Sequence, residues 1–235
     1  MTNVIVDYVW IGSQEPQLLK SKTRILHIDL RRYSGLDSYM GSAPRPLTFS
    51  DLERIPIWED KSNILKPIKL YKNSDRYIVL CEVCDSDNKP LSTDYRGQLN
   101  DLCSKSPKIP TSVKQELFID NDKMWNKADN YYCSVEAYGI DFIEEHINTC
   151  LDLTITIDDV NSEETFGKWT YQISNEDILS VIDDLWISRF TLHKICNKQK
   201  EQVIFDDLYV NFKDNVLKIN KDDNPYKILM NLLKG

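Results

Sequence analysis

The sequence contains no long apolar run, which argues against a helical membrane protein. No stretch approaches the roughly 18 apolar residues that a membrane-spanning helix needs. The N-terminal sequence MTNVIVDYVW also lacks the basic region and the small-residue cleavage site of a signal peptide. We therefore expect a cytosolic protein that makes no membrane contact.

Basic residues are in short supply as well. Lys and Arg number 29 against 37 Asp and Glu, which gives a formal net charge of -8. This balance repels a phosphate backbone unless a local basic patch overrides it, and no run of aromatic residues with Lys and Arg suggests such a patch. We expect no nucleic-acid partner.

Glycine is scarce, with only seven in 235 residues, while 41% of the residues are hydrophobic. A chain of this length and composition can bury a sizeable core, so disorder is not expected. The composition predicts one compact globular unit or two small lobes, each with its own core.

Cysteine is not scarce, but its arrangement argues against disulfides and zinc. Six cysteines are spread along a chain with no secretory signal, and we interpret them as mostly reduced core residues: Cys81, Cys84, Cys103, Cys133, Cys150 and Cys196. Cys81 and Cys84 form a CxxC pair in the run YIVLCEVC, where residues three apart point to opposite faces of a strand. No second CxxC completes a tetrahedral site.

Familiar catalytic arrangements are missing too. The chain shows no P-loop and no Ser-His-Asp or Cys-His set. His146 and His193 lie beside apolar residues in predicted helices and are interpreted as packing residues, whereas His27 lies in a predicted strand with no visible partner. These motifs alone name no reaction.

The N-terminal part of the chain reads as short strands separated by turn-forming residues. Strands are predicted over Val4–Ile11, Thr23–Leu30 and Tyr77–Cys84. The proline-rich stretch from Ser34 to Pro67 is predicted to be a loop with one short helix. The sequence SKSPKIPT interrupts the periodicity, so we place a boundary near Ser106 that divides the chain into lobes 1–105 and 106–235.

The second lobe alternates predicted strands and helices, which indicates a mixed α+β architecture. The predicted strands are VKQELFI, LDLTITI, KWTYQI and VIFDDLYVNF, and the predicted helices are AYGIDFIEEHINTC and the terminal NPYKILMNLLKG. A long helix is predicted to begin at Ser174, with Asp177 completing a capping box and Ile178, Ile182, Leu185 and Leu192 on its buried stripe.

Four stretches, in order and covering nearly the whole chain, resemble eukaryotic-type glutamine synthetases. They are YVWIGSQEPQLLKSKTRIL, YIVLCEVCDSDNKPLSTDYR, YYCSVEAYGIDFIEEHINTC and DLWISRFTLHKIC. The resemblance implies an N-terminal β-grasp lobe and the first half of a catalytic lobe, an antiparallel sheet backed by helices. In that family a funnel lined by the sheet holds two divalent cations, ATP phosphorylates glutamate, and ammonia displaces the phosphate.

The resemblance also locates the family's metal ligands, and most of them are changed. The family's Glu-x-Glu strand is matched by Lys114, Gln115 and Glu116, so the first carboxylate has become an ammonium, which cannot ligate a metal while charged. Glu163 retains the next ligand. Thr170 stands where the family has a later glutamate. The residues around it still alternate between the two faces of the strand, so Thr170 shares a face with Lys168 and Gln172.

The region of the family's histidine ligand is changed further. The strand VIFDDLYVNF runs almost directly into the stretch that follows the histidine, so the glycine-rich loop is missing and Tyr209 stands nearest the histidine position. The chain stops at Gly235, before the family's substrate-binding arginines and flap glutamate. The Asp-Gly-Ser-Ser turn of the N-terminal lobe is also missing, because Asp60 is followed directly by Lys61 and Ser62.

Of the usual ligands only Glu116 and Glu163 remain, and two monodentate carboxylates hold a hard cation weakly. A residual single-metal site is one interpretation; the other is that both carboxylates are exposed or paired with lysine. Lys114 supports the second, because it lies two residues from Glu116 on the same strand face. We expect no metal site, no nucleotide cofactor and no catalytic residues.

Two hypotheses about function follow from the resemblance. The first is a pseudoenzyme kept as a scaffold for binding another protein or for homo-oligomer assembly. The alternative is a residual ligase or nucleotide-binding enzyme whose site another subunit completes. Such erosion would fit a gene captured by a virus or a parasite, and a viral source would add the virion or viral factory to the expected cytoplasmic location.

Overall fold

The computed structural model describes residues 2–13, 17–28, 47–53, 57–59, 62–73, 76–104, 108–120, 137–212 and 215–234. The chain divides into two compact units, Met1–Asp94 and Tyr95–Gly235. Each described unit contains a five-stranded sheet. The boundary predicted near Ser106 lies on the C-terminal side of this division, and the assignment of domains to the two lobes stays a prediction.

The first unit contains a mixed sheet. Its elements are β1 (Thr2–Ile11), β2 (Leu19–Ile28), α1 (Phe49–Glu53), β3 (Ile57–Trp58), β4 (Ile64–Asn73) and β5 (Arg76–Cys84). The strand order is β2-β1-β5-β4-β3, in which β1 and β5 run parallel and the other neighbours run antiparallel. Alternate residues of β1, from Val4 to Trp10, enter one apolar core with Leu26 and Val79, as the period of two in the sequence predicts.

The strands β3 and β4 were not predicted. The segment Ser34–Pro67 was expected to be a loop with one short helix, and although α1 lies there, Ile64–Asn73 is a ten-residue strand. Pro67 stands at a register shift in the pairing of β4 with β5, a position where a proline is tolerated. Pairing with the buried β5 therefore overrides the local signal. Residues 29–46, 54–56 and 60–61 of that region lie outside the described ranges.

The second unit contains an antiparallel sheet and four helices among its described residues. Its elements are α2 (Tyr95–Cys103), β6 (Thr111–Asp120), α3 (Ile140–Asp152), β7 (Ile157–Ser162), β8 (Lys168–Asn175), α4 (Ile178–Lys198), β9 (Gln202–Phe212), β10 (Asn215–Ile219) and α5 (Pro225–Lys234). The strand order is β10-β9-β6-β8-β7. The predicted mixed α+β class, with an antiparallel sheet backed by helices, is confirmed.

Two element boundaries predicted in this unit were wrong. The run LDLTITI does not form a strand, because Leu151 and Asp152 end α3 and β7 begins only at Ile157. Ser174 does not begin the long helix, since it lies in β8 and pairs with Ser112 of β6. The N-cap is Asp177, whose carboxylate accepts a hydrogen bond of 2.8 Å from the backbone N–H of Ser180.

Helix α4 covers one face of the second sheet. Val113, Gln115, Leu117 and Ile119 of β6 are buried on that face, and the residues between them are half-buried on the other. We call this other side the open face. Because side chains alternate along each strand, the open face carries the following residues: Ser112, Lys114, Glu116 and Phe118 of β6, Lys168, Thr170, Gln172 and Ser174 of β8, and Tyr209 and Asn211 of β9.

The terminal helix α5 packs on helices rather than on the open face. Tyr226, Leu229 and Met230 are buried, whereas Leu233 is half-buried, and α5 contacts α2 and α4. The Tyr226 hydroxyl donates to Asp183 Oδ1 of α4 at 2.6 Å. Arg96 of α2 donates to both oxygens of Asp183 at 2.8 and 2.7 Å. One buried carboxylate thus joins α2, α4 and α5.

The structure bears on the expectations about cysteines and membrane spans. Cys81, Cys84, Cys103, Cys150 and Cys196 are free in this structure, and all except Cys103 are buried, as expected for core residues. Cys133 lies outside the described ranges. None of the helices in the described part of the chain has the length and apolar character needed to cross a bilayer.

Candidate functional site

The strand register brings four of the five sequence-predicted positions together on the open face. Glu116 lies directly across from Thr170 of β8. Lys114 lies across from Gln172 on one side and from Tyr209 of β9 on the other. Directly paired residues of antiparallel strands have Cβ atoms about 4.5–5.5 Å apart, so these side chains form two adjacent rows across the sheet.

The fifth position, Glu163, is tied to the same group through Thr170. Glu163 follows β7, and its backbone N–H donates to the carbonyl of Lys168 at 2.9 Å. Thr170 is only 1% exposed. Its hydroxyl donates a hydrogen bond of 3.1 Å to Glu163 Oε1. The structure therefore brings all five predicted residues into one region.

The turn that leads into β8 depends on a glycine. Gly167 has φ +72, a backbone conformation that other residues rarely adopt, and a Cβ there would lie 2.5 Å from the carbonyl oxygen of Ile119. The carbonyl of Gly167 accepts a 2.8 Å hydrogen bond from the N–H of Ile119. This close approach fixes where Lys168 begins β8.

Glu116 is paired with Lys168, not with Lys114 as the strand spacing suggested. Lys168 Nζ lies 3.1 Å from Glu116 Oε2, and the two side chains are 22% and 19% exposed. Lys168 also lies over the ring of Phe118, its direct cross-strand neighbour, at 5.5 Å from the centroid. The alkyl chain of Lys168 thus crosses the strand pair diagonally to reach Glu116.

Beneath the open face lies a buried polar pair that the sequence analysis did not single out. Arg189 of α4 donates from Nε to Gln115 Oε1 at 2.9 Å, with a second hydrogen bond from Nη2 to the same oxygen. Gln115 Nε2 donates to the carbonyl of Asp206 at 3.0 Å, where β9 is bulged opposite Glu116. Burial lowers the pKa of Arg189 to about 10, so the guanidinium stays charged at neutral pH.

One signal in the sequence could have revealed this pair. Gln115 is the polar member of the otherwise apolar set Val113, Leu117 and Ile119 on the α4 side of β6. A buried amide requires hydrogen-bond partners. The pattern therefore indicates a polar side chain on the facing helix, although it does not identify Arg189 among the polar residues of α4.

The β9 edge of the open face carries a second ion pair. Lys218 of β10 lies across from Tyr209, and its Nζ is 2.6 Å from Asp207 Oδ2 and 5.8 Å from the centroid of the Tyr209 ring. The hydrogen bond to Asp207 raises the pKa of Lys218. Tyr209 thus lies between the ammonium groups of Lys114 and Lys218.

The two helical histidines are packing residues, as predicted. His146 of α3 is buried, with Nε2 at 3.0 Å from Ser188 Oγ and 3.4 Å from Cys150 Sγ, and burial lowers its pKa to about 4. His193 of α4 lies against the ring of Phe205. His27, for which no partner was visible in the sequence, has Nδ1 at 2.8 Å from Asn3 Oδ1.

The shortened turn of the N-terminal lobe lies only partly within the described residues. Asp60 and Lys61 are outside them. Glu59 accepts hydrogen bonds from Trp10 Nε1 at 3.0 Å and from Ser13 Oγ at 2.8 Å. Burial alone would raise the pKa of Glu59, but these hydrogen bonds, together with nearby Lys20, lower it overall. Glu59 therefore supports the local fold of the first unit.

The two carboxylates of this region that match metal ligands of the family already have side-chain partners. Mg²⁺ and Mn²⁺ favour about six hard oxygen ligands, whereas Glu116 is ion-paired with Lys168 and Glu163 accepts from Thr170. Within the described ranges, no group of three or more His, Cys, Asp or Glu side chains is arranged to hold a metal ion. The ammonium of Lys114 adds positive charge to the same rows.

A cleft of about 1080 Å³ lies at one end of the open face. Most of the side chains around it are uncharged and polar, and Glu176 supplies the carboxylate among its lining residues. The residues that continue the rows of the sheet into this cleft are Ser112, Ser174 and Asn211.

Comparison with known proteins places these features in context. No protein-family model matches the chain. A glutamine synthetase homologue of Acanthamoeba polyphaga mimivirus is 30% identical over 86% of this chain and 60% of that protein. The glutamine synthetase of Emericella nidulans is 26% identical over 87% of this chain and 60% of its own length. That of Candida glabrata is 27% identical over 86% and 57%.

A solved structure agrees with these sequence matches. The cryo-EM structure of Plasmodium falciparum glutamine synthetase superposes with a TM-score of 0.58, covering 91% of this chain and 52% of that one. At 11% identity this likeness concerns the fold alone. The chain spans about 60% of the length of the curated relatives that it matches.

Proposed function

We propose that this chain, which belongs to the glutamine synthetase family, is a pseudoenzyme that serves as a protein-binding or assembly scaffold. On this proposal it does not ligate glutamate and ammonia at the expense of ATP. The observation that carries the proposal is the state of the open face. Its positions matched to metal ligands hold Lys114, Thr170 and Tyr209, and both retained carboxylates have side-chain partners.

The replacement at Lys114 weighs most heavily. Phosphoryl transfer with two metals needs cations that bridge phosphate oxygens and offset developing negative charge. A charged ammonium cannot ligate a metal, and it repels one at close range. At the neighbouring position, Thr170 carries a neutral hydroxyl. Lys114 and Thr170 therefore both stand at positions where the family has a carboxylate.

The retained carboxylates are also poorly available. A cation at Glu116 would have to displace Lys168, whose ammonium is 3.1 Å away and largely shielded from water. A cation at Glu163 would compete with the 3.1 Å hydrogen bond from Thr170. Partners of this kind satisfy the carboxylates without any metal, and they support a structural role for both residues.

The scaffold part of the proposal is supported by apolar residues around the open face. Ile204, across from Phe118, is 45% exposed, and Val216, across from Asn211, is 67% exposed. Apolar residues exposed singly are normal on protein surfaces, so these two support a scaffold only as parts of a larger contact surface. A second copy of the chain or another protein would cover them.

Sedimentation of the purified chain tests the scaffold proposal. Self-association, or binding of a dye to exposed apolar surface, supports a scaffold. A monomer that binds no such dye opposes it.

The alternative function is a residual ligase or nucleotide-binding enzyme completed by another subunit. It is favoured by the survival of Glu116 and Glu163 on either side of Thr170. Against it, the second subunit would have to supply several ligands at once and also offset the charge of Lys114.

Activity measurements decide between the two functions. Purified protein is assayed for glutamine formation and for γ-glutamyl hydroxamate formation with Mg²⁺ or Mn²⁺, beside a Glu116→Ala variant. The pseudoenzyme proposal predicts that both proteins give background rates, because the loss of a single transition-state stabiliser already costs about 10²–10³ in rate. Activity above background that disappears in Glu116→Ala would establish the alternative.

A further inference from the structure

Two of the three lysines on the described part of the open face are in ion pairs. Glu116 pairs with Lys168 and Asp207 with Lys218. Among the residues that the structure describes, no carboxylate lies within salt-bridge distance of Lys114. Lys114 is nevertheless half-buried at the centre of the sheet, on its middle strand. A lysine there keeps its charge only if water or another anion solvates it.

The neighbours of Lys114 are groups that can donate hydrogen bonds. Gln172 and Tyr209 lie directly across from it on the two adjacent strands. Ser112 lies on the same face two residues along β6, roughly 6.6 Å away at 3.3 Å per residue. Amide, phenol and hydroxyl groups around one ammonium make a set suited to an oxygen anion.

The carboxylates near this set do not occupy it. Glu116, Asp207 and Glu163 accept hydrogen bonds from Lys168, Lys218 and Thr170 respectively. Asp159 of β7, which lies across from Gln172, accepts a hydrogen bond of 2.8 Å from the side chain of Asn161. Next to it, the cleft of about 1080 Å³ begins at Ser112 and leaves room for the rest of a ligand. A partner for Lys114 can therefore approach from the cleft.

We propose that Lys114, flanked by Gln172 and Tyr209, binds the anionic oxygen group of a small molecule, a phosphate or a carboxylate, whose polar remainder lies in the cleft. This goes beyond the scaffold function, since it assigns a small-molecule site to the open face. On this proposal, a position where the family has a carboxylate that binds a cation carries a lysine that binds an anion.

The experiment measures thermal stability against concentration of two probes, inorganic phosphate and acetate, at constant ionic strength set with sodium chloride. A ligand that binds only the folded state raises the melting temperature in a saturable way. The wild type is compared with Lys114→Gln, with Lys114→Arg, which keeps the charge, and with Lys221→Gln, which removes an exposed lysine elsewhere in the same unit.

The proposal predicts a saturable rise in the wild type that is kept in Lys114→Arg and Lys221→Gln. In Lys114→Gln the affinity falls roughly tenfold or more, as expected for one lost charge-assisted hydrogen bond. Saturation at lower phosphate than acetate identifies a phosphoryl ligand, and the reverse order identifies a carboxylate. The absence of a saturable rise with either probe, or equal affinities in the wild type and Lys114→Gln, would overturn the proposal. If Lys114→Gln does not fold, Lys114→Met replaces it with the same expectation.

Discussion

Lys168 Nζ lies 3.1 Å from Glu116 Oε2 on the open face of the second sheet, and both side chains are about four-fifths buried. This ion pair holds a carboxylate that the family resemblance would assign to a metal. An internal ammonium therefore supplies part of the positive charge that a bound cation would bring. Glu116 and Asp207 of this face thus have lysine partners on neighbouring strands.

The first prediction concerns this pair. Lys168→Met should lower the free energy of unfolding by about 1–2 kcal/mol, because it leaves the largely buried carboxylate of Glu116 without its counter-ion. The matched control is Lys198→Met, which breaks the exposed pair with Glu145, whose partners are 64% and 43% exposed; its effect should be near zero. Urea unfolding followed by circular dichroism measures both, and equal effects would contradict a special role for Lys168.

The second prediction concerns the buried pair beneath the site. Gln115→Met should cost about 2–4 kcal/mol, since it leaves the guanidinium of Arg189 buried without this acceptor. The double variant Gln115→Met with Arg189→Met should recover part of that loss, because no buried charge is left. A double-mutant cycle by urea unfolding measures the coupling, expected to exceed about 1 kcal/mol. Strictly additive losses would show that the two residues act independently.

Much of the fold could be predicted from periodicity, and the failures have local causes. The alternating runs that form β5, β8 and β9 and the amphipathic pattern of α3 were identified correctly. Strand β4 was missed because Pro67 and its lysines resemble a loop, and pairing with β5 decides its structure. Helix α2 and strand β10 are short, so their signals were lost among the turn-forming residues beside them.

The candidate site was only partly predictable. The resemblance selected Lys114, Glu116 and Thr170, and the register places Glu116 directly across from Thr170 and two residues from Lys114. The pairing of Glu116 with Lys168 could not be inferred, because it depends on a diagonal contact between strands 52 residues apart in sequence. The contact of Gln115 with Arg189 depends on how α4 is placed over the sheet. Both are tertiary features that a local pattern does not encode.

The third prediction is a loss of stability in mild acid caused by His146. Burial lowers its pKa from 6.5 to about 4 in the folded protein, so the unfolded chain takes up a proton more readily. As the pH falls from about 6.5 towards 4, this residue should therefore remove stability, up to about 3 kcal/mol. Below that window its contribution to the pH dependence ends.

The control for this prediction is His146→Gln, which keeps a polar side chain but does not titrate. Its unfolding free energy should vary less with pH than that of the wild type between pH 6.5 and 4, whatever its absolute stability. Parallel pH profiles for the two proteins would show that His146 is not the titrating group.

The fourth prediction tests the turn before β8. Gly167→Ala should destabilise the protein by more than about 1 kcal/mol, because φ is +72 and the new Cβ would meet the carbonyl of Ile119. Gly12→Ala is the comparison, since its Cβ would meet only the flexible side chain of Lys20, and it should cost less. Thermal unfolding of both variants measures these effects. If Gly167→Ala is as stable as the wild type, the turn does not have this left-handed backbone conformation at residue 167.

The fifth prediction concerns the proposed lack of a cation site and uses a variant that carries additional acidic groups. In the double variant Lys114→Glu with Thr170→Glu, four carboxylates would lie close together on the open face, counting Glu116 and Glu163. We expect this variant to bind Mn²⁺ more tightly than the wild type, because carboxylates are preferred ligands of hard cations. Measuring Mn²⁺ binding to both proteins also shows whether the binding assay can detect a cation site at this position.

The most direct test of the central claim is calorimetric titration of Mn²⁺ into the wild-type protein at neutral pH. The account predicts no saturable binding, because Lys114 carries a positive charge and Glu116 is held by Lys168. Saturable, stoichiometric binding of Mn²⁺ to the wild type that disappears in Glu116→Ala would contradict it and show that the open face is still a metal site.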